Sequence, residues 1–306
     1  MRAGSAIPAK GDTMKLYIVD AFTDQVFGGN PAGVVYIPAG ADFPDDETMR
    51  KTAAELRYSE TAFLKELGDK KYHVRYFTPA AEVDLCGHAT IATFYTLLKS
   101  GKIAAGDTCD FKTLAGDLQV LVTESGVLMD MGEAKTFGLI DDSAKVEELC
   151  KVMGAESCTP EFEGQTLYPE MVSTGLVDIM MPVKDMAALN ALAPDMKALS
   201  DLSAAYNVTG VHAFTLSEAD GVHCRNFAPL YDIDEEAATG TSNGALTYYL
   251  YKRGIVKPEQ DNLFIQGEAM DRPSKISSRL SILEDGSVKI RVGGVAAILA
   301  EGEIYL

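Results

Sequence analysis

Cys86, Gly87 and His88 stand together in "DLCGHATIATFYTLLKSGKI" (84–103), directly ahead of an apolar run. A thiol two residues from an imidazole admits three readings: a nucleophile with its base, a pair of metal ligands, or the unreactive entrance to a buried helix. Glu60, in "SETAF", adds a carboxylate at the point where the chain turns apolar. Burial there is expected to raise its pKa toward neutrality, so that it can both accept and donate a proton.

Spacing narrows these readings. The chain has no CxxC, and its four histidines (73, 88, 212, 223) form no HxxxH or HxH pair. Zinc usually draws on such clusters, so no metal is expected. Residues two apart at a helix start generally diverge, which argues against a Cys86–His88 nucleophile and leaves Cys86 a buried, inert thiol. The five cysteines (86, 109, 150, 158, 224) are odd in number and follow no disulfide rhythm, which fits a reducing cytoplasm.

A chain of 306 residues with 47% hydrophobic content can bury a large core in one or two domains. Its net charge of −18 argues against nucleic acid or an anionic membrane as partner, since both require a basic surface. No apolar run reaches the length of a membrane span. The opening "MRAGSAIPAKGDT" (1–13) lacks a signal-peptide core and is expected to be a disordered leader before Met14.

The chain repeats itself. "GHATIATFYTLLKSGKI" lies over "GTSNGALTYYLYKRGIV" at an offset of 153, pairing Gly87 with Gly240 and Tyr95 with Tyr248. "HVRYFTP" (73–79) lies over "HCRNFAP" (223–229) at 150, and "TAFL" (61–64) over "HAFT" (212–215) at 151, setting Glu60 against Val211. The order is constant and the drift is three residues, which marks a duplication.

Each copy reads as strand, strand, turn and buried helix, followed by a hairpin at 116–131 or 279–292. Amphipathic helices are expected at 45–57, 141–154 and within 183–207. The fold class is therefore α+β, with two duplicated domains, each a mainly antiparallel, barrel-like sheet around a central buried helix. The first domain spans 14–130 and the second 131–292, while the strand at 293–306 returns to the first. The active site is expected in the cleft between them.

Gly87–His88 and Gly240–Thr241 open the two buried helices. Helix N-termini leave amide N–H groups unpaired and carry partial positive charge. Two such ends facing one cleft would hold a carboxylate or an enolate oxygen without Lys or Arg. The blander alternative is that these glycines only permit tight turns.

Four segments in fixed order carry a resemblance: "VDAFTDQVFGGNPAGVV" (19–35), "YSETAFL" (58–64), "RYFTPAAEVDLCGHAT" (75–90) and "RNFAPLYDIDEEAATGTSNGAL" (225–246). They resemble the phenazine-biosynthesis PhzF-like family, which shares the diaminopimelate epimerase fold. The resemblance implies two similar domains, no metal or organic cofactor, a homodimer and a small carboxylic-acid substrate. It implies that Glu60 is the main catalytic glutamate, that His88 is the active-site histidine, and that Asn30, Gly87, Gly240 and Thr241 bind substrate. Glu236 takes the position of the family's catalytic Asp, and Ala237 that of its Pro, which alters reach and leaves substrate identity open. Epimerases of this fold use two opposed cysteines; Cys86 falls at the first position, but Thr239 falls near the second and is too weak a base.

These readings converge on a cofactor-independent isomerase that moves a proton next to a carboxylate through one glutamate. Two alternatives stand beside it: a two-base amino-acid racemase or epimerase, and a non-catalytic small-molecule binding protein.

Overall fold

The computed structural model describes residues 13–124 and 126–306; the expected leader falls outside them, except that Thr13 already belongs to the first strand. Strands β1 (Thr13–Ala21), β2 (Asn30–Ile37), β3 (Thr61–Gly68), β4 (Lys71–Phe77), β5 (Glu82–Val83), β6 (Thr108–Thr113), β7 (Gly116–Thr123) and β8 (Gly126–Asp130) form a first ladder. Within it run helices α1 (Asp46–Leu56) and α2 (Gly87–Lys99). Strand β9 (Lys135–Leu139), helix α3 (Ser143–Met153) and a small hairpin, β10 (Glu161–Phe162) with β11 (Gln165–Thr166), follow. The second ladder comprises β12 (Glu170–Ser173), β13 (Val177–Pro182), β14 (Gly210–Thr215), β15 (Val222–Ala228), β16 (Ile233–Glu236), β17 (Asp261–Gln266), β18 (Ser274–Ile282) and β19 (Val288–Gly294). It carries α4 (Met186–Ala191), α5 (Met196–Tyr206) and α6 (Gly240–Lys252), and β20 (Ala296–Tyr305) closes the chain. This is a sheet-rich α+β fold.

The pairings of the two ladders run in one order. β1–β2 is antiparallel, β2–β3 parallel, β3–β4 antiparallel, β4–β6 parallel, and β6–β7 and β7–β8 antiparallel, with β5 on β4. From β12 to β19 the same sequence recurs, with β16 on β15. β8 and β19 pair antiparallel, so one continuous sheet joins both ladders. The segments leaving each ladder cross over: β9 pairs with β12, and β20 pairs with β1, placing Thr13 opposite Tyr305.

Burial follows from residue type. β6 alternates exposed and buried along "TCDFKT", the period of a strand with one dry face. α2 is buried at every residue from His88 to Leu97, as expected of a helix apolar all round. α6 is buried over most of its length, and the two helices touch. One core cluster spans both, running from Val19, Phe94 and Phe111 to Phe214, Tyr249 and Phe264. A second lies under α3–α5 around Leu149, Met153 and Leu199, and a third packs Met49 of α1 on Phe63 and Phe77.

The register corrects one correspondence. Thr61 faces Phe77, and Val211 faces Phe227, so laying Phe77 on Phe227 sets Glu60 over Gly210 rather than Val211. A Cβ on Gly210 would meet the Phe227 carbonyl oxygen at 1.9 Å, so the second ladder cannot carry a side chain where the first carries Glu60.

The seam between ladders is equally tight. A Cβ at Gly293 of β19 would stand 1.8 Å from the Val127 carbonyl oxygen of β8. Gly293→Ala should therefore push the ladders apart and destabilise the protein by on the order of 2 kcal/mol or more, read as a lowered denaturant midpoint. An unchanged midpoint would show that this pairing does not hold the ladders together.

Candidate active site

Among the described residues, the four surface-packed α-helices all start in the same way. Asp45, Asp142, Asp185 and Asp195 cap α1, α3, α4 and α5 by accepting first-turn amide protons. The two central helices differ: α2 enters through Cys86 and α6 through Thr239, both extended, and neither has a side-chain cap. Thr239 is chemically able to cap, but its Oγ1 donates instead to Glu236 Oε2 (2.8 Å) and accepts from Gln266 Nε2 (3.0 Å). Two buried helix starts thus keep free amides and their partial positive charge.

The glycines at these starts are not demanded by the backbone. Neither Gly87 nor Gly240 adopts a positive φ. A Cβ on Gly87 would meet only Met129 Cε at 3.9 Å, and on Gly240 only Phe22 Cζ at 3.8 Å and Val292 Cγ1 at 3.9 Å. Tight turns do not explain them; the missing side chains leave room above the amides. Thr241 follows in the first turn, half-buried, with its carbonyl accepting from Thr174 Oγ1 at 2.9 Å.

Asn30 bridges the two entrances. Its Nδ2 lies 3.2 Å from His88 Nδ1 in α2, and donates to Glu236 Oε1 (3.0 Å) and the Ala238 carbonyl (3.2 Å) just before α6. Its position at the head of β2 is fixed from behind. Gly29, at φ 59°, makes a turn in which a Cβ would strike the Ala21 carbonyl oxygen at 2.1 Å. Arg272 binds the Gly28 and Gly29 carbonyls (2.7 and 2.9 Å) and ion-pairs with buried Asp20 (2.8 Å).

Glu60 immediately precedes β3 and reaches the same place. Its Oε2 lies 3.2 Å from His88 Nε2, although this oxygen is buried and makes no well-aligned hydrogen bond. Burial pushes the Glu60 carboxyl up, but the His88 imidazole, aided by Ser59 and Cys86, outweighs it and holds the pKa below the usual glutamate value. The expected rise toward neutrality is thus reversed, because the neighbour is a cation. Burial also opposes charge on His88, yet the Cys86 sulfur and the Glu60 carboxylate raise its pKa well above 6.5. Glu60 and His88 form an anion–cation pair.

Cys86 does not diverge from His88 as its spacing suggests. Its extended backbone turns Sγ back to 3.4 Å from His88 Nδ1 and 3.7 Å from Nε2. With the imidazolium donating through Nδ1 to sulfur and its Nε2 facing the Glu60 carboxylate, the two amide protons of Asn30 suffice for Glu236 and Ala238. Burial, together with the Glu60 charge, pushes the Cys86 thiol up to about 11, so it is no nucleophile at neutral pH.

Glu236, at the end of β16, is raised by burial and by the Glu60 charge, against the pull of His88, Thr239 and Asn30. Behind it, Gln266 Nε2 holds the Glu236 carbonyl (2.7 Å), while its Oε1 accepts from Asn243 Nδ2 (2.8 Å) and the Thr239 amide (3.2 Å). Sequence reasoning missed Gln266: it lies 30 residues from Glu236, outside every recognisable segment. It also missed a buried polar cluster under the start of α6. There Ser242 Oγ donates to Asp178 Oδ2 (2.5 Å), and Asn226 Nδ2 donates to Ser242 Oγ and lies near His212 Nδ1 (both 3.2 Å). Asp178 is pushed up to about 6 by burial, the Glu236 charge adding and the Ser242 bond opposing, while burial lowers His212 to about 4.

A family profile described as phenazine biosynthesis-like protein matches residues 19–302. An uncharacterized isomerase of Clostridium acetobutylicum is 34% identical, over 95% of this chain and 98% of its own. The trans-2,3-dihydro-3-hydroxyanthranilate isomerase of Pseudomonas aeruginosa is 27% identical, over 94% of this chain and 98% of its own. Among solved structures, a phenazine biosynthesis protein of Bacillus anthracis, PhzF family, superposes with a TM-score of 0.81 at 26% identity, covering 97% of this chain and all of its own.

Asp178 gives a pH test of the cluster under α6. Its folded pKa of about 6 exceeds the ordinary 3.8, so it stabilises the fold while protonated and loses that contribution as pH rises through 6. Between about pH 4 and about pH 7.5, wild type should lose on the order of 2 kcal/mol of unfolding free energy relative to Asp178→Asn. Chemical denaturation of both proteins at the two pH values checks this; parallel pH profiles would refute the burial of an ionisable Asp178.

Proposed function

The chain belongs to the phenazine biosynthesis-like family and is an enzyme of the isomerase class; on that footing we propose that it moves a proton beside a carboxylate in a small acid, with Glu60 as sole acid–base. The observation that carries this reading is the pair of uncapped helix starts bridged by Asn30, with the Glu60 carboxylate at their mouth. It pairs an anion cradle with a base.

In this reading the free amides at Gly87–His88 and Gly240–Thr241 hold the substrate's carboxylate. Glu60, ionised at neutral pH, removes a proton from the adjacent carbon, and the electron pair moves into the conjugated acid as an enolate. The same amides and the His88 imidazolium stabilise that charge where it develops. Glu60, now protonated, returns the proton to another carbon on the same face. Asn30 holds Glu236 in place beside the substrate's polar edge through the hydrogen bond that ties the two together.

Two-base racemisation needs a second proton carrier opposite Glu60. The nearest analogue of the second epimerase cysteine, Thr239, already commits its hydroxyl proton to Glu236, which supports a single base. The Glu236 carboxylate, one methylene longer than the family's Asp, favours an acid other than the one in the Pseudomonas relative's name. The duplicated-domain reading, 14–130 with 293–306 against 131–292, draws support from the recurrent ladder order and places this site in the cleft between the two. A cytoplasmic homodimer completes the proposal. All five cysteines are free and buried, and among the described residues no helix is long and apolar enough to cross a membrane.

Glu60→Gln keeps size and polarity but removes the base. Turnover on a substrate found by screening small carboxylic acids should fall at least on the order of 10²-fold, while affinity for the acid barely changes. Cys86→Ala should be mild by comparison. Loss of turnover in Cys86→Ala, with Glu60→Gln tolerated, would replace the single-glutamate mechanism with a cysteine-based one.

A further inference from the structure

Threonine ordinarily caps a helix, yet Thr239 stands at the N-cap position of α6 and makes no side-chain cap. The reason lies at the end of β17. Gln266 is wholly buried there, and its amide commits every hydrogen-bonding position it has to the α6 entrance. Nε2 donates to the Glu236 carbonyl (2.7 Å) and to Thr239 Oγ1 (3.0 Å). Oε1 accepts from the Thr239 amide (3.2 Å) and from Asn243 Nδ2 (2.8 Å).

A hydroxyl carries a single proton. Because Gln266 donates to Thr239 Oγ1, that proton goes to the other neighbour, Glu236 Oε2, at 2.8 Å. The hydroxyl is thereby held between Gln266 and Glu236 and turned from the first-turn amides of its own helix. The first ladder supplies the comparison. Laying His73 on His223 sets Lys112 over Ile265, and so Thr113 over Gln266. Thr113 Oγ1 bonds within its own turn, to the Gly116 carbonyl (3.2 Å) and the Ala115 amide (3.1 Å). The matching helix α2 enters through Cys86, whose sulfur is a weak acceptor, so there is no cap to hold back. The long amide stands in the ladder whose helix entrance carries a residue able to cap.

We propose that Gln266 is a positioning residue: by binding Thr239 at both its amide and its hydroxyl, it commits that hydroxyl to Glu236 and keeps α6 uncapped, so that the amides at Gly240–Thr241 stay free for the acid's carboxylate. The inference rests on the reading of those amides as an anion cradle. Without Gln266, Thr239 takes the role its position offers, and Oγ1 turns to accept from the Thr241 or Ser242 amide. Glu236 then loses one of its two side-chain donors, Asn30 being the other.

Gln266→Met, close in length but without the amide, tests this beside the double variant Gln266→Met/Thr239→Val, in which no hydroxyl can cap. In crystals of full-length Gln266→Met grown without a carboxylate, Thr239 Oγ1 should lie within hydrogen-bond distance of the Thr241 or Ser242 amide and off Glu236. Acetate, the minimal carboxylate probe, is titrated into each protein and followed by NMR of the Gly240 and Thr241 amides. Its affinity should be about fivefold weaker in Gln266→Met, the usual worth of an N-cap, and should largely recover in the double variant. A merely structural role for Gln266 predicts the reverse, a double variant no better than the single one. Near-ultraviolet circular dichroism and denaturant midpoints verify folding; should Gln266→Met fail, Gln266→Leu replaces it in both proteins. Thr239 still on Glu236 in the crystals, or acetate affinity that does not fall and then recover, overturns the proposal. If acetate moves neither amide in wild type, the cradle reading fails instead, and the crystals alone decide whether Gln266 holds Thr239 off its helix.

Discussion

Two buried helices that begin without caps set the terms for the rest of the molecule. Unpaired amides inside a protein are costly, and they persist only where something else is meant to meet them. The contrast is internal to the chain: every outer α-helix starts on an aspartate, while α2 and α6 start on Cys86 and Thr239. Asn30 turns two separate helix ends into one place by touching both. The rigid backing of Arg272, Asp20 and Gly29 serves to hold that one amide still.

Around this cradle the charges are sorted by their neighbours rather than by burial alone. Glu60 and Glu236 are both largely buried, yet their pKa values move in opposite directions. Glu60 has the His88 imidazole against it and stays anionic; Glu236 has amides and a hydroxyl and is raised. An acidic chain of net charge −18 can in this way keep a local positive potential, because backbone dipoles and one imidazolium supply it.

The recurrent ladder explains how one face can differ from the other without loss of fold. The pairing order repeats strand for strand, but Glu60 falls on a position that in the second ladder is Gly210, closed by the Phe227 carbonyl. The polar cluster of Asp178, Ser242, Asn226 and His212 exists only in the second half. Common backbone and divergent side chains leave a carboxylate at this position in the first ladder and none in the second.

The sequence alone determined what depends on local pattern. The run after Gly87, apolar on nearly every face, dictated a buried helix, and the repeat carried that reading to the segment after Gly240. The ordered repeats indicated two like ladders, and the strand at 293–306 could be assigned back to the first. Glu60, His88, Asn30 and Glu236 were legible through the segments that carry the family resemblance. What the sequence could not determine is how those groups bear on one another. That Glu60 is lowered rather than raised, that Cys86 folds back onto His88, and that Gln266 and Asp178 support the site all follow from approaches between residues tens to hundreds of positions apart. Electrostatic energies and ligand geometry depend on distances of a few ångströms, and only the tertiary structure sets those distances.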